Sequence, residues 1–227
     1  MFAVLRMISL PANRTPEVGS LVVTLRQVGA DLPGVSSSWV APVSPMAVIN
    51  ASDIVWRMVC STESEALAVP LTPQWRAAVV PALEGTQVTS VGYRVTRLGR
   101  GSDSPGLWRA LVFRVMPHGF PDLARQLESE LLLFPKYVGS IRSWALSTVS
   151  FVEGPKAFTH VWEQEYDDLD GLTGAYMMHP VHWGLADRFF DAESPVYVVD
   201  PHLVQVIGNI DGTILNVHAT ENITAEK

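Results

Sequence analysis

The sequence contains one unit twice, and this repeat limits the chain to folds that can be built from two similar halves. The segments 38–41 and 143–146 both carry a Ser-Trp pair, at an offset of 105 residues. The segments 54–57 and 160–163 both carry Val-Trp at their centres, at an offset of 106 residues. Two matches at nearly the same offset indicate a tandem repeat, in which each copy is one supersecondary unit.

A short polar segment separates the two copies. Residues 97–106 read RLGRGSDSPG, and this Gly, Ser, Asp and Pro content is typical of a solvated linker. We therefore predict a degenerate first unit over residues 1–96 and a second unit over residues 107–208. Residues 209–227 are polar and predict a tail that is partly disordered.

Hydrophobic periodicity predicts the order strand, helix, strand, strand, helix, strand in each unit. In the second unit, this pattern predicts strands over residues 107–116, 141–151, 157–166 and 195–201, and helices over residues 121–134 and 180–191. The order is typical of a ferredoxin-like unit, whose four-stranded antiparallel sheet carries helices on one face only. Two such units can bury their bare faces against each other. The prediction is an α+β fold in which tandem ferredoxin-like repeats form an intrachain α+β barrel.

Composition excludes two classes of partner. Hydrophobic residues make up 48% of the chain, which is enough for a packed core. The net charge of -7 and the lack of a Lys and Arg cluster disfavour nucleic acid, whose phosphates require clustered cations. The apolar stretch at residues 1–10 is interrupted by Arg6 and stopped by Pro11, so it predicts a first β-strand instead of a membrane span. The expected partner is a small-molecule substrate, with the chain a pseudo-dimeric monomer or a homodimer.

A single cysteine bears on the compartment of the protein. Cys60 has no second cysteine with which to form an intrachain disulfide or a thiolate metal site. This usage is typical of a reducing compartment, so a cytoplasmic location is expected.

The segment 176–182, YMMHPVH, places a phenol and two imidazoles within seven residues. Pro180 suits the first position of a helix, which would place His182 in the first turn. A histidine there titrates near neutral pH and can exchange a proton. Capping or core packing by the histidines is an open alternative, and so is a metal site, although Asp187 stands five residues beyond His182.

These residues carry a resemblance to a known family. The strand-like segment 159–162, THVW, the segment 176–182, then Phe190 and a second strand-like segment at 196–200 resemble the stress-responsive A/B barrel family. That family has the dimeric α+β barrel fold. The resemblance covers roughly residues 108–201, and the first unit matches only as a degenerate copy.

The resemblance implies a site without a cofactor or a metal. It gives His182 the role of general base and Tyr176 that of carbonyl or enolate donor. His160, Trp162 and His179 become substrate-binding residues. The implied function is a lyase or cyclase acting on a carbonyl-containing, aromatic or polyketide-like metabolite. A non-catalytic ligand-binding or stress-associated barrel and a cofactor-free monooxygenase are the alternatives.

Two further expectations concern where the site lies. Strand alternation puts His160, Trp162 and Gln164 on one face of their strand, and the family register points that face into the barrel. Arg109 falls near a first-strand position that lines the pocket in the family, although a surface arginine is the simpler reading.

The first unit lacks proton-transferring side chains at the positions that match the candidate site residues. Aligning Trp75 with Trp183 puts Gln74 opposite His182 and Ala68 opposite Tyr176, while Ile54 stands opposite His160. None of the three first-unit residues exchanges a proton near neutral pH. We therefore expect one pocket per chain, in the second unit.

Overall fold

The computed structural model describes residues 1–46, 48–100, 104–116 and 121–215. The first half contributes strands β1 to β4, which span Phe2–Ser9, Ser37–Pro42, Ile54–Cys60 and Gln87–Arg100. Its α-helices span Val18–Ala30, Glu63–Ala68 and Val80–Ala82, its 3₁₀ turns Ala12–Glu17 and Val69–Leu71, and its π-helix Trp75–Val79.

The second half repeats this order of elements. Strands β5 to β8 span Leu107–Phe113, Ser143–Glu153, His160–Tyr166 and Val204–Asn209. The α-helices span Pro121–Leu131, Phe134–Tyr137 and Arg188–Phe190, and the π-helices Gly171–Tyr176 and His182–Asp187. No helix among the described residues is long and apolar enough to cross a membrane.

All eight strands form one antiparallel sheet in the order β2-β3-β1-β4-β6-β7-β5-β8. Each half contributes a ferredoxin-like four-stranded sheet, and β4 joins β6 at the seam between them. The two outer strands approach each other, because Ser44 N donates to Ile207 O at 2.8 Å and Ile49 bridges to Gln205. The sheet is thus a nearly closed barrel, and the predicted fold class is confirmed.

Three hydrophobic cores follow from the alternation of side chains along the strands. Each half has its own core between its sheet and its helices. The third core fills the barrel interior and draws on both halves, for example Leu5 and Val55 from the first and Val161 and Val206 from the second. The bare faces of the two sheets are therefore buried against each other within one chain.

A buried ion pair crosses this interior core. Arg57 Nε lies 2.7 Å from Glu163 Oε1, and the two side chains are 2% and 0% exposed. Trp108 Nε1 also donates to Glu163, at 3.2 Å. Arg57 and Glu163 are matched positions of the repeat, so the two halves contribute opposite charges at the same place.

The last predicted strand is wrong. The segment 195–201 forms only an isolated bridge, between Val199 and Val115, and the last strand is β8. The N–H groups of Val198 and Val199 are instead directed at Phe189 O, so this apolar segment covers the end of a helix. An apolar run of this length can form a strand or cover the end of a helix, and the sequence pattern alone does not distinguish these two structures.

The predicted linker is shorter than expected. Residues 97–100 continue β4 and pair with β6, so the first four residues of the predicted linker belong to the sheet. Gly99 is required by packing, because a Cβ there would lie 2.2 Å from Trp144 Nε1. The division of the chain into units stays a prediction.

Part of the predicted tail is ordered by the barrel. The Glu165 carboxylate accepts hydrogen bonds from the Thr213 hydroxyl at 2.7 Å, from Ile214 N at 2.7 Å and from Leu215 N at 3.1 Å. Leu215 is buried in the interior core. The rest of the predicted tail lies outside the described residues.

Candidate active site

The predicted site residues lie between the sheet and the helices of the second half. Trp162 belongs to the core beneath these helices, whereas its neighbour Val161 belongs to the barrel interior. The expectation that His160, Trp162 and Gln164 point into the barrel is therefore wrong. The interior is already filled by apolar side chains and the buried ion pair, so the opposite face of β7 carries the site.

His182 stands at the start of a helix, as predicted. The helix begins at Pro180 and widens into the π-helix His182–Asp187. His182 Nδ1 lies 3.2 Å from Asp187 Oδ1. A π-helix is closed by contacts five residues apart, which stacks Asp187 over His182, whereas an α-helix would separate them. The five-residue separation that argued against a role for Asp187 in the sequence is the separation at which a π-helix brings two side chains together.

The surroundings of His182 favour its neutral form. Burial lowers the pKa of His182 below its ordinary value of 6.5, and the nearby Arg109 cation lowers it too. The Asp187 carboxylate acts in the opposite direction. Because burial is the largest cause, His182 is a neutral imidazole at pH 7 and can accept a proton.

Tyr176 lies against His182. The two rings meet edge to face with their centroids 4.9 Å apart. Tyr176 ends the π-helix Gly171–Tyr176 and is 2% exposed. Phe134 contacts both rings, at 5.5 Å from Tyr176 and 6.0 Å from His182. The structure thus brings together the predicted general base and the predicted carbonyl or enolate donor.

Arg109 is a buried residue of this site, and the surface reading is wrong. It is 3% exposed, and its guanidinium lies 5.3 Å from the centre of the Tyr176 ring. Arg109 donates to Gln205 Oε1 at 2.7 Å and to Gln164 Oε1. Both partners are neutral amides. Among the residues that the structure describes, no carboxylate lies within ion-pair distance of Arg109.

Sequence reasoning missed two polar side chains on β7. Gln164 Nε2 and Tyr166 Oη are buried and have no hydrogen-bond partner among the described residues, and the same holds for Trp162 Nε1. Burial raises the pKa of Tyr166 well above its ordinary value, so its hydroxyl stays protonated. The signal in the sequence was the alternation that puts residues 162, 164 and 166 on one face.

His160 and His179 are engaged in local contacts. His160 Nδ1 lies 2.8 Å from Thr159 Oγ1, its Nε2 lies 3.1 Å from Glu128 Oε1, and its ring stacks on Phe113. His179 Nδ1 accepts a hydrogen bond from Val181 N at 3.2 Å, which caps the start of the helix. Their roles in substrate binding stay predictions.

No metal-ligand cluster is found in the described part of the chain. No group of three His, Cys, Asp or Glu side chains there is arranged to hold a metal ion. Several hydrogen-bond donors share the helix side of the second half with His182, namely the Arg109 guanidinium, the Trp162 and Gln164 N–H groups and the Tyr166 hydroxyl. Such groups suit the recognition of ligand oxygens.

Comparisons with known proteins identify the fold. The sequence matches no family model, and no curated protein matches it significantly. An anthrone oxidase-like protein superposes with a TM-score of 0.69 at 12% identity, covering 92% of this chain and 90% of that chain. Proposed monooxygenases from Fusobacterium nucleatum and Lactobacillus acidophilus superpose with TM-scores of 0.59 and 0.55, at 11% and 7% identity. Each covers 93% of this chain, and this chain covers 95% and 97% of them. At such identities the likeness shows the dimeric α+β barrel fold alone.

Proposed function

We propose that this chain is a cofactor-independent enzyme that removes a proton from a carbon next to a carbonyl group, in an aromatic or polyketide-like metabolite. The contact between the neutral His182 imidazole and Tyr176, with Arg109 beside them, is the observation that carries this proposal. The resemblance of the segment 176–182 to the stress-responsive A/B barrel family supports the same roles.

The first step follows from the position of each group. His182 takes the proton from carbon, and the electron pair of that C–H bond moves onto the carbonyl oxygen to form an enolate. The Tyr176 hydroxyl donates a hydrogen bond to that oxygen. Asp187, at 3.2 Å from His182, stabilises the imidazolium that has formed. A buried site strengthens each of these interactions relative to water.

A lyase or cyclase would complete the reaction within the substrate. The enolate carbon attacks a second carbonyl carbon and forms a C–C bond, and the new alkoxide receives the proton held by His182. Loss of water from this aldol product then gives a conjugated ring. The reverse sequence breaks the same bond. Neither direction needs a redox partner, because the reaction as a whole is redox-neutral: the formal oxidation of the attacking carbon balances the formal reduction of the attacked carbonyl carbon.

A monooxygenase is a second candidate, and the fold comparison favours it. Proteins described as anthrone oxidase-like and as monooxygenases match this chain over at least 90% of both lengths. The same carbanion would add to O₂ and, once protonated, give a hydroperoxide. Loss of water from the hydroperoxide leaves a new carbonyl group, so CH₂ and O₂ become C=O and H₂O.

Hydrogen exchange tests the shared first step. The methylene group of anthrone is a vinylogous equivalent of a carbon next to a carbonyl group, because its carbanion is conjugated through the fused rings with the ketone oxygen. Under nitrogen in D₂O the protein should accelerate deuterium uptake at that carbon, as read by mass spectrometry. Exchange at the buffer rate with anthrone and with aryl 1,3-diketones would contradict the proposal and favour a non-catalytic barrel. After admission of air, O₂ uptake with conversion of anthrone to anthraquinone identifies the oxygenase. Cyclisation and dehydration of an aryl 1,5-diketone to a cyclohexenone, without O₂ uptake, identifies the cyclase.

A further inference from the structure

Arg109 is a buried cation that has no carboxylate within ion-pair distance among the described residues. It is 3% exposed, and its two side-chain partners are the oxygens of Gln164 and Gln205. Burying a charge is costly unless an opposite charge or a full set of hydrogen bonds compensates for it. Elsewhere in the chain a buried arginine is paired, since Arg57 contacts Glu163 in the barrel interior. Arg109 differs from Arg57 because its hydrogen-bond partners are neutral amides and not a carboxylate.

A row of unsatisfied donors adjoins this cation. Arg109 pairs with Gln164 across β5 and β7 and uses the oxygen of its amide, which leaves the Gln164 NH₂ group unpartnered. Trp162 and Tyr166 stand two residues to either side on the same face of β7, and Trp162 Nε1 and Tyr166 Oη are also buried without partners among the described residues. Buried polar groups in native proteins are nearly always hydrogen-bonded.

The chemistry of these groups defines what would satisfy them. A guanidinium and an indole N–H donate hydrogen bonds and accept none, and Gln164 has only its NH₂ group left. Tyr166, kept protonated by burial, can donate as well. A ligand that satisfies them must present acceptors, and the uncompensated charge requires that one acceptor be anionic. A carboxylate has two oxygens with about four acceptor sites, which suits several donors at once.

We propose that the helix side of the second half binds an aromatic or polyketide-like carboxylic acid, whose carboxylate lies against Arg109, Gln164 and Tyr166. Successive same-face residues of a strand are roughly 7 Å apart, so Trp162 reaches a second oxygen farther along the ligand. The identification of this acid as the substrate rests on the proposed function. The binding claim itself depends only on the donors and the cation.

The test compares acids with neutral amides of nearly the same shape. Binding of benzoate and benzamide, and of 1-naphthoate and 1-naphthamide, is measured on the full chain by isothermal titration calorimetry at pH 7.5. We expect each acid to bind about 10-fold or more tightly than its amide, the factor typical of a hydrogen-bonded charge. In Arg109→Met the preference should disappear. Acids that bind no better than their amides, or a preference retained in Arg109→Met, would overturn the proposal.

Conservative variants separate binding from folding. Trp162→Phe and Tyr166→Phe keep the rings but remove donors for which the described part of the chain offers no partner. Each should leave Tm unchanged or raise it, because a desolvated polar group is lost, while weakening 1-naphthoate binding several-fold. A lowered Tm with unchanged binding would show that the groups are structural and would overturn the proposal.

The first half supplies a matched control. Trp56 occupies the position of Trp162 in the repeat, but its Nε1 donates to Ser38 Oγ at 2.8 Å. Trp56→Phe should therefore lower Tm and leave 1-naphthoate binding unchanged. Binding is measured without turnover, so the two proposals can fail separately. Acid binding without catalysed exchange would contradict the proposed enzyme activity but support the acid site. Catalysed exchange without a preference for acids would support the activity but contradict the acid site.

Discussion

The two halves share one fold but fill the space beneath their helices differently. In the first half, the segment Thr72-Pro73-Gln74-Trp75 precedes a π-helix, as the segment His179-Pro180-Val181-His182 does in the second. Trp75 thus takes the place of His182. Its ring stacks on Trp56 at 5.3 Å and closes the space with carbon atoms.

The strand positions show the same contrast. Arg109 pairs with Gln164 in the second half, and the matching pair in the first half is Val4 with Met58. The first-half match of Tyr166 is Cys60, because each is the last residue of its strand. These three first-half residues, Val4, Met58 and Cys60, are buried and apolar. One half is therefore a packed core, and the other keeps a set of polar groups at a cost in stability.

This difference indicates how the chain divides its work. Beneath its helices the first half is packed mainly with apolar side chains, and the Trp56 N–H is satisfied by Ser38. Arg6, which contacts Trp75, is the exception, because its Nε is buried without a partner among the described residues. The second half keeps three such donors together on one face of β7, at Trp162, Gln164 and Tyr166, without partners among the described residues, and folding alone would not favour this. Under the proposed function, we expect substitutions beneath the first half's helices to change stability, and those beneath the second half's helices to change binding and turnover.

The largest expected effect is that of His182→Ala on turnover. Loss of a positioned general base should lower exchange into anthrone by ~10²–10⁴-fold, measured by mass spectrometry in D₂O. The chain should stay folded, since His182 is partly exposed at the helix start.

The matched control for this variant is Trp75→Ala. It should lower the free energy of unfolding by about 3–5 kcal/mol, because a buried aromatic ring is lost, while exchange per folded molecule stays normal. Normal exchange in His182→Ala, or lost exchange in a folded Trp75→Ala chain, would reverse the assignment of the two halves.

A second prediction concerns the place where the halves meet. Arg57→Met leaves Glu163 buried without its cation and should lower the free energy of unfolding by about 3–5 kcal/mol, measured by urea denaturation. The double variant Arg57→Met with Glu163→Leu should recover most of this loss, since a buried pair is often replaceable by apolar side chains. A double variant no more stable than the single one would show that the interior depends on the ion pair itself.

A third prediction tests Tyr176. Tyr176→Phe keeps the ring contacts with Phe134 and His182 but removes the hydroxyl, so exchange should fall by about 10–100-fold, the factor of one hydrogen bond to a charged group. Ligand titration of this variant and of the natural chain should saturate at one equivalent. Two equivalents would show that the first half also binds.

Much of the fold was predictable from the sequence. The repeat and the order of elements gave the α+β barrel, because hydrophobic periodicity records which face of each element is buried. The register was less accessible. Trp39 pairs with Arg57, and Ala145 pairs with Glu163, so Trp39 matches Ala145 and not Trp144. A slip of one residue moves a side chain to the opposite face of the sheet.

The site was predictable only in part, for two physical reasons. The alignment of Gln74 with His182 is one residue out, because it matched Trp75 to the exposed Trp183 and not to the position that the π-helix defines. Asp187 was dismissed because α-helical spacing was assumed. Arg109 was assigned to the surface because its neutral partners, Gln164 and Gln205, give no charge pattern in the sequence.

The smallest expected effect concerns the pH profile and tests the contact that sequence reasoning missed. The groups that face His182 are Asp187, Arg109 and Tyr176. Because burial and Arg109 lower the pKa of His182, the acidic limb of kcat/KM should lie below pH 6.5. The Asp187 carboxylate favours the imidazolium, so Asp187→Asn should lower this pKa further and shift the limb to lower pH.

On the plateau, Asp187→Asn should lower kcat/KM a few-fold, because a weaker base removes a carbon-bound proton more slowly. Arg109→Met should shift the acidic limb in the opposite direction, to higher pH, because removing the cation lets the pKa of His182 rise. Among the described residues of the first half, Arg6 is the charged group in contact with Trp75, and its guanidinium lies 4.7 Å from the Trp75 ring centre. Arg6→Met therefore serves as the control and should leave the limb in place. An unmoved limb in Asp187→Asn would mean that the π-helical contact does not act on the base.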